Sequence, residues 1–199
     1  MKNLTGKTFL ILCVLMAAVL LPCVAFSAGF VRPTAEYSAD RIMTGAASMT
    51  AKVYAAPEKE RMEIKEGGGV VSIVRMDKNL VWTLIASQKM YMESNWKRAQ
   101  GDYGNCDVRQ TEKGREEING FQTRKMEIDI SCPDNEKYTG MVWMTKENIP
   151  VLIETSKVGS KKEAMRIELK NLKIGKQDPA LFEVPAGYKM MKMPSFGGK

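Results

Sequence analysis

Short runs rich in apolar residues follow one another in direct succession between residues 61 and 93. Met62 and Ile64 alternate with Arg61, Glu63 and Lys65, and Gly67-Gly68-Gly69 then breaks the run. Residues 70–76 make the next run, Asp77-Lys78-Asn79 the next break, and residues 80–85 the run after it. Ala86-Ser87-Gln88 leads into residues 89–93. Short runs of this kind, separated by Gly, Asp, Asn and Ser, predict four strands in an antiparallel meander. Two of them, Val-Val-Ser-Ile-Val at 70–74 and Leu-Val-Trp-Thr-Leu-Ile at 80–85, are apolar on both faces. A strand has that pattern when neither face of its sheet meets water. The meander is therefore expected to wrap around something apolar.

The same pattern extends to both sides. Residues 37–43 and 48–55 predict two strands ahead of the meander, with Thr44-Gly45-Ala46-Ala47 as a turn or bulge. Residues 96–104 predict a helical turn or loop, limited by Gly101 and Gly104. Strands are expected at 138–145, 151–157 and 164–174. In the last of these Met165, Ile167 and Leu169 share one parity, while Leu172 and Ile174 share the other. That phase change predicts a β-bulge near Lys170-Asn171. Residues 178–182 predict a single helical turn. The sum is a mainly β protein of about ten strands with one or two short helical segments.

The first residues have a different character. Lys2 and Lys7 precede an apolar run over residues 9–21, Pro22 breaks it, and Ala25-Phe26-Ser27 follows. This is the layout of a secretory signal peptide, expected at 1–27 with cleavage near Ser27 or at Ala25. The run is shorter than the ~20 residues of a spanning helix. Pro22 stands before Cys23 where a lipoprotein signal needs a small residue. One domain is expected at 30–194, with a loose tail at 195–199. The full chain carries 30 Lys and Arg against 23 Asp and Glu, so loss of the two leader lysines leaves 28 against 23, a net +5. So mild an excess fits a solvated surface or weak attraction to an anionic membrane. Nucleic acid is not an expected partner of an exported chain.

Cys13 and Cys23 leave with the leader, so Cys106 and Cys132 remain. Between them lies a hairpin with Ile118-Asn119-Gly120 at its tip; Met126, Ile128 and Ile130 alternate with Glu127 and Asp129 in its second arm. A three-residue loop ending in Gly is a favoured connection, and in that register residue 106 faces residue 132. A two-residue Asn-Gly turn would leave the cysteines one position out of step. A structural disulfide is the expected outcome in an oxidising compartment.

Catalytic chemistry is sparse. The chain has no histidine, which removes Ser-His-Asp and Cys-His systems and His-ligated metals. Two cysteines committed to a bridge cannot hold zinc. Gly67-Gly68-Gly69 lacks the Lys-Ser/Thr and helix of a phosphate cradle, and Glu116 and Glu117 point to opposite faces of a strand. No enzyme activity, cofactor or metal is expected. Methionine, by contrast, is abundant, at 15 residues. Met fills irregular cores, and flexible Met-rich surfaces also accept ligands of varied shape.

The string Val74-Arg75-Met76-Asp77-Lys78-Asn79-Leu80-Val81-Trp82, with Gln88-Lys89-Met90-Tyr91-Met92, Asn119-Gly120-Phe121 and the segment from Leu181 to Tyr188, resembles the LolA/LolB-like periplasmic lipoprotein carriers, in an uncharacterised exported branch. The resemblance implies a single curved antiparallel sheet, a half-barrel, whose concave face binds acyl chains beneath a lid. It implies a monomeric periplasmic carrier of lipid or lipoprotein acyl chains, or an envelope interaction or sensor module on the same fold. A membrane surface or an envelope protein would be the further partner. The expected cavity residues are Met62, Ile64, Ile73, Trp82, Leu84, Met90, Met92, Met126, Ile128 and Trp143, with Arg61 associated with the lid. The only candidates for a lid are residues 96–104 and 178–182.

Overall fold

Twelve strands hydrogen-bond side by side into one open, curved sheet. The computed structural model describes residues 31–45, 48–65, 69–100, 105–160 and 164–191. The expected leader at 1–27, the tail at 195–199, Gly67, Gly68, Gly101 and Gly104 lie outside the described residues. In chain order the strands are β1 (Tyr37–Thr44), β2 (Met49–Ala56), β3 (Lys59–Ile64), β4 (Val70–Arg75), β5 (Leu80–Ile85), β6 (Met90–Asn95), β7 (Asp107–Ile118), β8 (Phe121–Ser131), β9 (Lys137–Met144), β10 (Pro150–Lys157), β11 (Met165–Ile174) and β12 (Lys189–Met190). Across the sheet they run β12-β6-β5-β4-β3-β2-β1-β11-β10-β9-β8-β7. Every pairing is antiparallel except the last addition, β12 alongside β6.

Local chemistry explains the meander. Met76–Lys78 and Ala86–Gln88 are single 3-10 turns, each closed by a left-handed residue, Asn79 and Lys89. Asn tolerates that conformation better than most residues. The short helix Trp96–Gln100 follows β6 directly, and Asn95 Oδ1 accepts from the Arg98 amide.

The β7–β8 hairpin corrects one expectation. Its tip is a two-residue turn, because Ile118 pairs with Phe121. Asn119 and Gly120 have φ of 51° and 81°, both in the left-handed region that such a turn requires. Alone, this turn would misalign the cysteines. A bulge between Glu112 and Gly114 absorbs Lys113, so the pairing resumes as Glu112 with Met126 and reaches Asp107 with Ser131. Cys106 and Cys132 then meet and form a disulfide, with Cα atoms 4.1 Å apart. The β11 bulge lies where the phase change places it: the register with β1 shifts between Ser38 and Asp40, opposite Asn171, whose φ is 52°.

The core lies mainly on one face, which we call the inner face. There Tyr37, Ala39, Ala51, Val53, Ile64 and Leu169 form one cluster with Ile149, and Met43, Ile128, Val142, Ile153 and Ile167 form another with the disulfide. On the outer face of the first strands stand Ser38, Asp40 and Lys52, as the register requires.

Candidate functional site

Strand register assigns the methionines of the described strands to a face, and Met141 falls on the outer one. Met43 pairs with Met49 across β1 and β2, Met62 faces Val53 from β3, and Met92 of β6 faces Thr83 of β5. Met90, two residues earlier on β6, shares that side. Beyond β1, Met126 pairs with Val142, Met144 stands two residues further along β9, and Met165 pairs with Thr155. All eight lie on the inner face, out of 15 in the chain. Such unbranched, polarisable side chains make a surface that can reshape around a hydrocarbon.

The expected cavity residues divide between the faces. Met62, Ile64, Met90, Met92, Met126 and Ile128 are together on the inner face. Ile73, Trp82 and Leu84 are on the outer face, in one cluster with Val71. Trp143 is also outside, packed with Val151, Leu152 and the hairpin-tip residue Ile118. Both tryptophans have a polar edge satisfied at the surface. Trp82 Nε1 donates to Glu93 at 2.9 Å with Lys78 over its ring, and Trp143 Nε1 donates to Glu116 at 2.8 Å beneath Lys125. Trp96 is the tryptophan on the inner side, where the short helix packs it against Val74 and Val81.

The outer cluster is covered by a segment that sequence reasoning treated only as a possible lid. After β11 the chain crosses the meander as a strap over residues 178–191. Its 3-10 turn, Pro179–Phe182, is capped by Asp178, whose carboxylate accepts from the Ala180 amide at 2.9 Å. Phe182 is buried, Val184 and Tyr188 pack on the Ile73–Trp82–Leu84 cluster, and Lys189–Met190 add β12 to the sheet edge. This is why two strands are apolar on both faces: the core lies against one and the strap against the other.

Arg61 takes part directly. Its Nη1 donates to the Leu181 carbonyl at 3.1 Å while Nε holds Glu63 at 2.7 Å. Arg75, on the neighbouring strand, has a stronger grip. It donates bidentately to Asp77 at 2.8 and 2.7 Å, to the Phe182 carbonyl at 3.2 Å, and to Glu183, which Lys78 also reaches. The Arg75 bond is the largest influence holding the Asp77 carboxyl below its ordinary pKa. For Glu183 burial, the largest influence, pushes upward, but the bonds from Arg75 and Lys78 prevail and the pKa is lowered.

One further polar group sits in the interior. Arg41 and Glu60, 4% and 7% exposed, form a bidentate ion pair on the inner face. Sequence reasoning missed it, although strand parity puts Arg41 with Tyr37, Ala39 and Met43, and Glu60 with Met62 and Ile64, on the apolar side. A cleft of about 530 Å³ opens elsewhere, near the disulfide end, between Asp107, Arg109, Asp129, Lys137 and Tyr138. Among the described residues no group of three or more His, Cys, Asp or Glu is placed to hold a metal ion. Among them, too, no helix is long and apolar enough to cross a membrane.

The single curved antiparallel sheet expected from the sequence is the fold found. MucB is similar to this chain at 12% identity with a TM-score of 0.50, over 85% of this chain and 63% of MucB, less than two thirds of that protein. MucB has also been solved in complex with MucA(peri). The Mycobacterium tuberculosis lipoprotein LppX is similar at 13% identity and TM-score 0.43, over 70% of this chain and 86% of that one. A LolA superfamily protein from Nitrosomonas europaea is similar at 9% identity and TM-score 0.41, over 84% and 97%. No curated protein matches the chain by sequence. The sequence pattern of DUF4412, a domain of unknown function, matches residues 40–152, more than half of the 199 residues, and the chain belongs to that family.

Proposed function

We propose that this chain is an exported, periplasmic binding or carrier protein for apolar ligands, with lipid or lipoprotein acyl chains as its cargo. The observation that carries this reading is the gathering of eight methionines on the inner face of one open sheet. Binding would be burial without covalent chemistry. Each methylene removed from water contributes roughly 0.8 kcal/mol, so a chain of about a dozen binds firmly before any polar contact is made. The signal-like residues 1–27 support export, and residues 30–194 act as one unit, monomeric, without a cofactor and without catalysis.

Native mass spectrometry of the mature protein, purified gently from an envelope extract, tests the reading. A co-purifying lipid or acylated peptide is the expected result. A clean unliganded mass that stays unchanged after lipids are added would sink it.

A second reading, an envelope protein-interaction or sensor module, has its own support. The edge of β6 already accepts an added strand, β12, and the similar protein MucB has a protein partner in MucA. One stoichiometric protein recovered in a pull-down, with no lipid, favours it.

A further inference from the structure

Four charges surround the cleft of about 530 Å³ at the disulfide end of the sheet. Arg109 of β7 stands opposite Asp129 of β8, which in turn stands opposite Thr139 of β9. In the next row Asp107, Ser131 and Lys137 stand opposite one another. All six have the parity opposite to Ile128 and Ile130, which belong to the inner core, so they share the outer face. Strand spacing puts the four charges within a patch roughly 10 Å across the strands and 7 Å along them. Val158, 57% exposed, stands on the rim. The disulfide joins the residue just before Asp107 to the residue just after Ser131, which fixes the two walls to each other.

Elsewhere on the same hairpin opposite charges pair readily, Lys113 with Glu127 at 2.7 Å and Lys125 with Glu116 at 3.1 Å. Around the cleft they do not. Among the described residues the side chains of Asp107, Arg109 and Lys137 make no ion pair or hydrogen bond, and Asp129 accepts only from Thr139, at 3.1 Å. The two acids and two bases sum to zero, and this balance selects the kind of ligand. A simple anion would meet Asp107 and Asp129 beside the two bases, and a simple cation would meet the bases beside the acids. Coulomb attraction and repulsion nearly cancel for either. A molecule with both signs a few ångströms apart gains from all four. Arg holds an oxyanion through two parallel bonds, the Ser131 hydroxyl is a further donor, and Val158 offers apolar contact to the carbon between the charges. The volume is that of a small-molecule site.

We propose that this cleft binds a small zwitterion, with Arg109 and Lys137 taking its oxyanion and Asp107 and Asp129 its ammonium group. Two sources share that chemistry, the phosphoethanolamine headgroup of a lipid and a free amino acid or short peptide. The site lies on the face opposite the methionines, so it stands apart from the apolar-ligand reading.

The test is a titration of the mature protein followed by the NMR signals of its backbone amides, at constant ionic strength because salt screens exposed charges. The zwitterions are glycerophosphoethanolamine and glycylglycine; ethanolamine, dimethyl phosphate and acetate are the single-charge controls. Saturable shifts are expected at residues 107–109 and 129–131, with a zwitterion binding about fivefold or more tighter than any control. Binding of glycerophosphoethanolamine alone identifies a lipid headgroup as the source, and binding of glycylglycine alone an amino acid or peptide. Arg109→Gln should weaken the zwitterion about tenfold, the worth of a bond to a charged group. Glu112→Gln, on the other face of β7, should leave it unchanged. These are exposed positions where substitution costs little stability, and the same spectra report whether each variant is folded. Should Arg109→Gln not fold, Lys137→Gln removes the second base instead. A control that binds as tightly as both zwitterions, an affinity unmoved by loss of either base, or no saturable shift with either zwitterion overturns the proposal. Each of these results leaves the inner-face reading standing.

Discussion

Arg75 reaches across 107 positions of chain to donate to the Phe182 carbonyl at 3.2 Å. With Arg61 at the Leu181 carbonyl, this bond pins the strap over the Ile73–Trp82–Leu84 patch of the outer meander. The strap is held by two arginines and by its own apolar anchors, so the two contributions can be separated.

Truncation after Lys176 should expose Ile73, Trp82 and Leu84. Loss of the buried Phe182 alone removes about 2 kcal/mol. Urea unfolding should show the lower midpoint, and Trp82 should make the native fluorescence shift to the red. Unchanged fluorescence would mean that the strap does not cover the cluster in solution. Arg75→Leu keeps the apolar anchors and should cost about 2 kcal/mol through lost charge-assisted bonds.

Acid should loosen the strap. Asp77 and Glu183 both have folded-state pKa values below their ordinary ones. A depressed carboxyl contributes stability that is fully present above its unfolded pKa and is lost as pH falls through its folded pKa. Stability should thus be level through the neutral range and decline once pH drops below the ordinary carboxylate range. Asp77→Asn should flatten that decline, as measured by thermal unfolding across pH. An identical slope in the variant would contradict the assignment.

The bulge at Lys113 has a job that can be checked by deletion. Deleting Lys113 removes only the extra residue, so Gly114 still pairs with Lys125, Glu112 with Met126, and Cys106 still faces Cys132. The deletion should keep the disulfide, seen as no free thiol by mass and thiol titration. Two free thiols, with the loss of roughly 3 kcal/mol expected for a loop of this size, would contradict the assignment of Lys113 as the residue the bulge absorbs.

Gly140 is the tightest point of the β9–β10 pairing. A Cβ there would sit 1.9 Å from the Glu154 carbonyl oxygen, a backbone atom that cannot swing away. Gly140→Ala should therefore destabilise by about 2 kcal/mol or more, measured by denaturant titration. Gly120→Ala meets no neighbouring atom, and its cost comes from a φ of 81° alone.

Much of the architecture was legible from residues near one another in the chain. Period-two alternation marks the first strand of the meander and short doubly apolar runs mark the next two, Asp77-Lys78-Asn79 and Asn119-Gly120 mark turns, and the phase change after Leu169 marks the β11 bulge. These are consequences of pleat and backbone conformation, which neighbouring residues settle among themselves. The bridging of Cys106 to Cys132 was legible too, although the route to it differs, because a two-residue turn and a bulge together replace a three-residue loop.

Periodicity tells which residues share a face but not what covers that face. Ile73, Trp82 and Leu84 look like cavity residues in the sequence, and only the strap, arriving about a hundred residues later, makes theirs the outer side. Parity puts Arg41 and Glu60 each on the apolar side of its strand, but only the pairing of β1, β2 and β3 makes them partners in the interior. Sequence alone determined the strands, the turns and the wealth of methionine. Tertiary structure decided which side of each strand meets the core, because burial depends on residues far away along the chain.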